Sequence, residues 1–442
     1  MQPSARIAAG IELLSQIEEA ITSGGAPADR LVAEYFRARR YAGSKDRRAV
    51  TEAIYAILRM REQLLWALDD LKCEPTARAL FILYLQREDP NQLSLFGEED
   101  NSHAPDALSA EENGLLERAS TLNWDSAPVH ACENVPAWAL AGFEKRFGEE
   151  LPKAAAALNQ TAPLDVRINR LKRPGDNLNN ILKNSSELFE KHIFSNDGYR
   201  SASKVNLANE KAYQSGLIEV QDEAAQVAAS LVGAQPGMQV VDLCAGAGGK
   251  SLAVAPDMEN KGQIHAFDIS GGRLKELRNR LQRAGCRNIQ VTRLVAEGEG
   301  RATALSALEG KADRVMVDVP CSGSGTWRRS PDQRWRFDDN SLKTLNKLQG
   351  SLLREGAGLV KAGGRLIYMT CSVLPAENED VVENFLRDMG AGWALIDYKT
   401  VWAEVLKNEC PQTLALNPFC LQLAPHSHGT DGFFIAVLER AS

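Results

Sequence analysis

Four short apolar runs constrain this chain most: Val240-Val241-Asp242-Leu243, Ile264-His265-Ala266-Phe267-Asp268, Val315-Met316-Val317-Asp318 and Leu366-Ile367-Tyr368-Met369. Each has the length of a buried strand, and a helix-length segment separates the first two. Strands spaced in this way pair in parallel, with crossover helices on both faces. The pattern therefore predicts an α/β, Rossmann-like doubly wound domain over residues 233–442. Ligands of such sheets bind beyond the carboxyl ends of the strands, and here those ends carry Cys244, Asp268, Asp318 and Cys371.

Upstream the periodicity is helical. Val50, Ala53, Ile54, Ile57 and Leu58 recur at i, i+3, i+4, i+7 and i+8 behind Ser44, read as an N-cap, and Ile7, Ile11, Leu14 and Ile17 form a second stripe. A helical domain over residues 1–136 follows. Within it the segment near 89–112 is rich in Asp, Glu, Asn, Ser and Pro and is expected to be an exposed, mobile linker. Its Gln92-Leu93-Ser94-Leu95-Phe96 resembles the short peptide by which bacterial proteins bind the replication sliding clamp. Pro136 to Asn159 reads as one amphipathic helix, and Leu164 to Asn169 alternates as a half-buried strand, so residues 137–232 are expected to form a small α/β RNA-binding unit.

Composition narrows the partners. The chain has 442 residues, 44% of them hydrophobic and 25% charged, which suits a globular protein of two or three domains and excludes a fibrous or wholly disordered one. With 51 basic against 58 acidic residues the net charge is −7, so nucleic acid must be met by local basic patches. Eight cysteines (73, 132, 244, 286, 321, 371, 410 and 420) include no Cys-x-x-Cys pair, and no histidines stand beside them at ligand spacing. Neither a disulfide framework nor a metal site is expected. No run approaches the roughly eighteen apolar residues of a membrane span, and Met1 to Gly25 lacks the layout of a secretion signal, so the expected location is the cytoplasm.

The segment Asp242 to Lys250 follows the first strand and opens a helix. Asp268 ends the next strand, where a carboxylate can accept from both hydroxyls of a ribose. A phosphate-binding loop would require glycine at 244, which is Cys, and the third glycine of a dinucleotide loop would fall at 251, which is Ser. What remains is a nucleoside whose charge is not phosphate, and S-adenosylmethionine is the common one.

Asp318-Val319-Pro320-Cys321-Ser322-Gly323 and Met369-Thr370-Cys371-Ser372 both follow strands of this sheet, so the two cysteines converge on the cofactor side. Either alone reads as a small buried hydrophobe; both together beside Asp318 read as chemistry. Carbon 5 of cytosine is too weak a nucleophile to take a methyl group from a sulfonium. A thiolate added at carbon 6 makes the ring an enamine, nucleophilic at carbon 5. A carboxyl group near ring nitrogen 3 favours the addition, and a base then removes the carbon-5 proton so that the thiol can leave. One cysteine attacks and the other helps release; spacing does not order them.

These segments, with Asp268-Ile269-Ser270, Glu377-Asn378-Glu379 and His428-Gly429-Thr430-Asp431-Gly432-Phe433-Phe434, resemble the ordered motifs of the RNA cytosine-5 methyltransferases of the Fmu/Sun type over residues 240–442. Ser44-Lys45-Asp46-Arg47-Arg48 resembles the NusB-like RNA-binding domain. The resemblance implies that Cys371 is the nucleophile, that Cys321 assists resolution of the adduct and that Asp318 contacts the base. It also implies a cofactor cradle of Cys244, Ala245, Gly246, Ala247, Gly248, Gly249 and Lys250. Asp268 would hold the ribose, with Arg273, Asp318 and Glu299 beside the cofactor. Glu299 is the match for the aspartate that the family places after its fourth strand. The family's Asp-Ala-Pro-Cys is Asp-Val-Pro-Cys here.

Two basic stretches suit RNA. Arg37, Arg39, Arg40, Arg47 and Arg48 are interleaved with Tyr35, Phe36 and Tyr41, and Arg328, Arg329 and Arg334 lie among Trp327 and Trp335 just after Cys321. Glu377 and Glu379 are expected to stabilise the start of the helix after Pro375, and His265 to be core. The expected activity is methylation of carbon 5 of a cytidine in 16S rRNA by a monomer. The alternatives are the same chemistry on tRNA or 23S rRNA, or a non-catalytic ribosome-assembly factor.

Overall fold

The computed structural model describes residues 1–98, 101–172, 189–202 and 207–442. They gather into two compact units, each assembled from separated stretches of chain. One takes Met1–Ala141, Glu149–Gln160 and Trp327–Asp339, and the other Gly142–Gly148, Thr161–Thr326 and Asn340–Ser442. Residues 161–232 thus fall in the same unit as the large sheet rather than in one of their own.

The first unit packs the helices Pro3–Ser23, Ser44–Asp70 and Ala77–Glu88. Leu13, Leu14 and Ile17 meet Ile54, Ile57, Leu58 and Phe81 in its core. Ser44 is the first helical residue and not the cap: Gly43 is the N-cap, and Asp46 accepts from its N–H at 3.1 Å. The expected mobile linker is partly built. Pro90–Leu95 forms a 3-10 helix and Phe96 is buried in the core with the Arg78 guanidinium 4.9 Å from its ring. Gln92 to Phe96 is therefore not an exposed peptide, since its Phe side chain is already committed to this core.

The expected single helix Pro136 to Asn159 is two, Ala137–Phe147 and Leu151–Asn159, broken at Gly148 in the left-handed region (φ 51°). A small antiparallel sheet follows: β1 (Asp165–Ile168), β2 (Phe189–Lys191), β3 (Gly198–Ser201) and β4 (Ile218–Val220), in the order β2-β3-β1-β4. All four residues of β1 are buried instead of every second one.

The large sheet contains β5 (Gln239–Asp242), β6 (Gln263–Asp268), β7 (Ile289–Arg293), β8 (Ala312–Asp318), β9 (Val360–Thr370), β10 (Trp393–Ile396), β11 (Leu421–Leu423) and β12 (Phe433–Arg440). Its order is β10-β12-β9-β8-β5-β6-β7, parallel from β9 to β7, with β12 antiparallel to β9 and to β10, and β11 paired to β12. Period-2 alternation divides the strands between two cores. Met316, Ile367 and Met369 enter one, while Val315, Val317, Leu366 and Tyr368 enter the other. The order reverses at β5, with β6 and β7 on one side and β8 and β9 on the other. The crevice beyond the carboxyl ends of β5 and β8 is the place where such sheets bind ligands.

Candidate active site

The loop after β5 is shaped by its neighbours. Ala245 donates its N–H to the Phe267 carbonyl at 2.8 Å, and Gly248 closes a turn onto the Ala245 carbonyl at 2.8 Å. A Cβ on Gly248 would sit 2.0 Å from Leu277 Cδ1, and its φ is +81°, so both space and backbone demand glycine. In front of Gly246 the space is open, as a backbone that receives a ligand requires. Cys244 is a lining group, its thiol pushed well up by burial and by the carboxylates of Asp242, Asp318 and Asp268.

Asp268 ends β6 and accepts from Gly246 N at 2.8 Å and from Ser270 N at 2.7 Å, one N–H on each oxygen. Those bonds fix the carboxylate plane and leave lone pairs for hydroxyl donors. Lys250 ion-pairs with Asp318 and lies 4.7 Å from the Phe433 ring centroid, so the loop's only lysine is turned away from any phosphate. Open glycine backbone, a ribose-competent carboxylate and a committed lysine fit a nucleoside without phosphate better than a nucleotide. Arg273 and Glu299 are exposed on the first turns of their helices. No described contact brings the Glu299 side chain to the cradle.

Beyond β8 and β9 the two thiols meet. Cys321 Sγ and Cys371 Sγ stand 3.3 Å apart, both half-buried and unbridged. Cys371 beside it, and burial, push the Cys321 thiol well above its ordinary pKa. Gly325 N donates to the Cys371 carbonyl at 3.0 Å, and Gly432 N to the Gly325 carbonyl at 2.8 Å. A Cβ on Gly325 would lie 2.2 Å from the Gly432 oxygen, so this lacing of three loops needs backbone alone.

Of the two acids expected at the helix after Pro375, Glu379 opens that helix and Glu377 does not. Glu377 does not serve a helix dipole: it is fully buried and accepts from Ser322 and Ser372, the residues that follow the two cysteines. Glu379 pairs bidentately with buried Arg146 at 2.5 and 2.6 Å, and Arg146 Nε also holds the Val373 carbonyl at 3.0 Å. Asp242 went unassigned. Ser251 Oγ donates to its Oδ2 at 2.6 Å while its buried Oδ1 has no hydrogen-bond partner. Strand alternation could have flagged it, because an acid inside a fully buried parallel strand is costly unless it has a task.

A Rossmann-like sheet with this cradle at its switch point defines a methyltransferase fold. The sequence profile of the 16S rRNA methyltransferases RsmB/F matches residues 229–439. A probable ribosomal RNA small subunit methyltransferase B from Synechocystis is 31% identical over 90% of this chain and 92% of its own. A methyltransferase homologue from Pyrococcus horikoshii has a solved structure that covers 68% of this chain and 93% of its own, at 27% identity and a TM-score of 0.57. The solved structure of PH0851, at 23% identity, shares the fold over 100% of this chain and 99% of its own with a TM-score of 0.76. The chain belongs to the RsmB/F family and is an S-adenosylmethionine-dependent RNA methyltransferase. Among the described residues no group of His, Cys, Asp and Glu could hold a metal, and no helix is long and apolar enough to cross a membrane.

The residues expected to meet RNA divide sharply within the first unit. Arg37, Arg40 and Arg48 are exposed; Arg39 is tied to Glu12 at 2.7 Å and Arg48 to Glu52 at 3.0 Å. Tyr35 and Phe36 are buried, so of the three aromatics only Tyr41, 74% exposed, could stack on a base. Arg334 is a correction: it is 1% exposed and binds Asn134 O at 2.9 Å, Asn159 Oδ1 at 2.6 Å and Leu158 O at 3.3 Å. Arg328 is buried as well, and only Arg329 of that stretch is exposed.

Proposed function

We propose that this enzyme methylates carbon 5 of a cytidine in 16S rRNA through a covalent adduct between Cys371 and carbon 6. The observation that carries this reading is the meeting of two thiols at 3.3 Å beside Asp318, at the ends of neighbouring strands. The names of its relatives supply the small-subunit RNA. Cys371 Sγ adds to carbon 6, with Asp318, backed by Lys250, at ring nitrogen 3 and the exocyclic amine. S-adenosylmethionine, when bound, supplies the methyl group on a sulfonium, and carbon 5 takes it. A base then takes the carbon-5 proton, the electron pair of that bond restores the C5–C6 double bond, and Cys371 leaves as a thiolate, with Cys321 assisting the release. Asp268 holds the ribose, and the loop 244–250 cradles the cofactor. Arg37, Arg39, Arg40, Arg47, Arg48 and Arg329 neutralise phosphates of the RNA.

Incubation with labelled S-adenosylmethionine and unmodified 16S rRNA should yield 5-methylcytidine. Cys321→Ala should accumulate an RNA adduct that migrates slowly on a denaturing gel, and Cys371→Ala should form none. The opposite pattern would exchange the two roles. Unmethylated RNA after incubation with cofactor-loaded enzyme would remove 16S rRNA as the substrate.

A further inference from the structure

Sγ–Sγ separation is a property of two loops that β8 and β9 deliver but do not join. We propose that Glu377 is the positioning residue that sets it, an inference that rests on the two-thiol reading above. The carboxylate is fully buried, and four donors converge on it. Ser322 N at 2.9 Å and Gln349 Nε2 at 3.0 Å reach Oε1; Ser322 Oγ at 2.5 Å and Ser372 Oγ at 2.6 Å reach Oε2. Ser322 directly follows Cys321 and Ser372 directly follows Cys371, so one rigid group holds both cysteine-bearing loops by the adjacent residue.

The surroundings make that group hard to move. Tyr368 OH donates to the Glu377 carbonyl at 2.6 Å, and Asn378 Nδ2 holds the Ser372 carbonyl at 3.0 Å. Ser372 Oγ also lies 2.9 Å from Ser324 Oγ, which accepts from Val373 N at 2.9 Å. The network therefore closes through both loops.

All four donors are uncharged. A carboxylate buried without a cation is an expensive choice for mere loop packing, which neutral side chains could achieve. Its negative charge also disfavours ionisation of Cys321, consistent with keeping that thiol protonated until it is needed. The side chain takes two donors on each oxygen and so ties two loops through one planar group.

The test measures thiol geometry separately from turnover. A bifunctional thiol reagent that fluoresces only when both arms have reacted should label the wild type rapidly, with Cys321→Ala as the blank. Glu377→Ala should slow that crosslinking about tenfold or more and lower kcat about a hundredfold, with RNA KM and cofactor affinity unchanged. Glu377→Gln, which keeps the shape and can still bond Ser322 N and both hydroxyls, should recover most of both. Crosslinking of Glu377→Ala at the wild-type rate would overturn the proposal, as would a Gln variant that fails as fully as Ala. Should Glu377→Ala not fold, the Ser322→Ala and Ser372→Ala pair removes the two arms without the buried charge and must slow crosslinking; wild-type crosslinking there would equally overturn it. A wild type that crosslinks but transfers no methyl group would instead count against the proposed reaction, leaving the crosslinking series to decide Glu377.

Discussion

Asp242 shows how one buried oxygen can report on a site. Burial pushes its carboxyl up to about 7, against the Ser251 hydrogen bond that favours the ionised form. The folded chain therefore binds this proton more tightly than the unfolded chain, whose aspartates titrate near about 3.9. Stability from this group is fully present below that value and is lost as pH rises toward about 7. Asp242→Asn is neutral and nearly isosteric, so the wild type should fall relative to it by on the order of a few kcal/mol between about pH 4 and about pH 7, and stay level above. Urea unfolding of both proteins across that range measures it, and parallel curves would show that Asp242 titrates normally. The ribose role proposed for Asp268, by contrast, is drawn from its position at the end of the second strand. The burial of Asp242 had a signal as well, an acid between Val241 and Leu243 in a buried apolar run, but its task had none.

At the scale of elements, strands were read more safely than basic stretches. Apolar runs identify β5, β6, β8 and β9 because burial on both faces leaves the sequence little choice. A run of arginines carries no such constraint: the same residue type serves a phosphate outside or carbonyl oxygens inside. Arg334 took the second course, with Trp327 and Trp335 rings 4.9 and 5.6 Å from its guanidinium. Arg37 and Arg40 stayed outside. Arg334→Ala should therefore destabilise the helical unit by on the order of 3 kcal/mol, because it strands the Asn134 and Leu158 carbonyls. Arg37→Glu with Arg40→Glu should leave stability within about 0.5 kcal/mol and weaken RNA binding, with the salt dependence of log K reduced by about one per arginine. Thermal melts together with binding titrations at several salt concentrations separate the two cases. RNA affinity that survives the double reversal would take this helix end out of the interface.

For the whole molecule, the order of domains along the chain hides how they are built. A reading that cuts the sequence at composition breaks assigns Trp327–Asp339 to the methyltransferase, since it follows Cys321 directly. It is nevertheless part of the helical unit. Trp335 Nε1 donates to the Leu58 carbonyl at 2.9 Å, and Asp332 Oδ2 accepts from Ala28 N at 3.1 Å. Arg336 binds the carbonyls of Ala20, Gly25 and Ala26 at 3.1, 3.0 and 2.8 Å. Ala20 lies in the last turn of the helix Pro3–Ser23, Gly25 and Ala26 in the loop after it, and Ala28 opens the next helix, so the segment ties down a helix–loop–helix junction made far earlier in the chain. Long-range contacts of this kind leave no local signal: nothing in Trp327 to Asp339 resembles the pattern of the core it joins. The consequence is measurable. A fragment of residues 1–160 should expose the polar ends and the apolar surface that Trp327 and Trp335 cover, and melt well below the intact protein. A synthetic peptide spanning residues 327–339 should raise its melting temperature in proportion to peptide concentration, as any ligand of the folded form must. The same peptide with Arg334 and Trp335 both changed to Ala should not. A fragment that melts as the intact helical unit does, with no response to the peptide, would mean that the segment rides on this unit without supporting it.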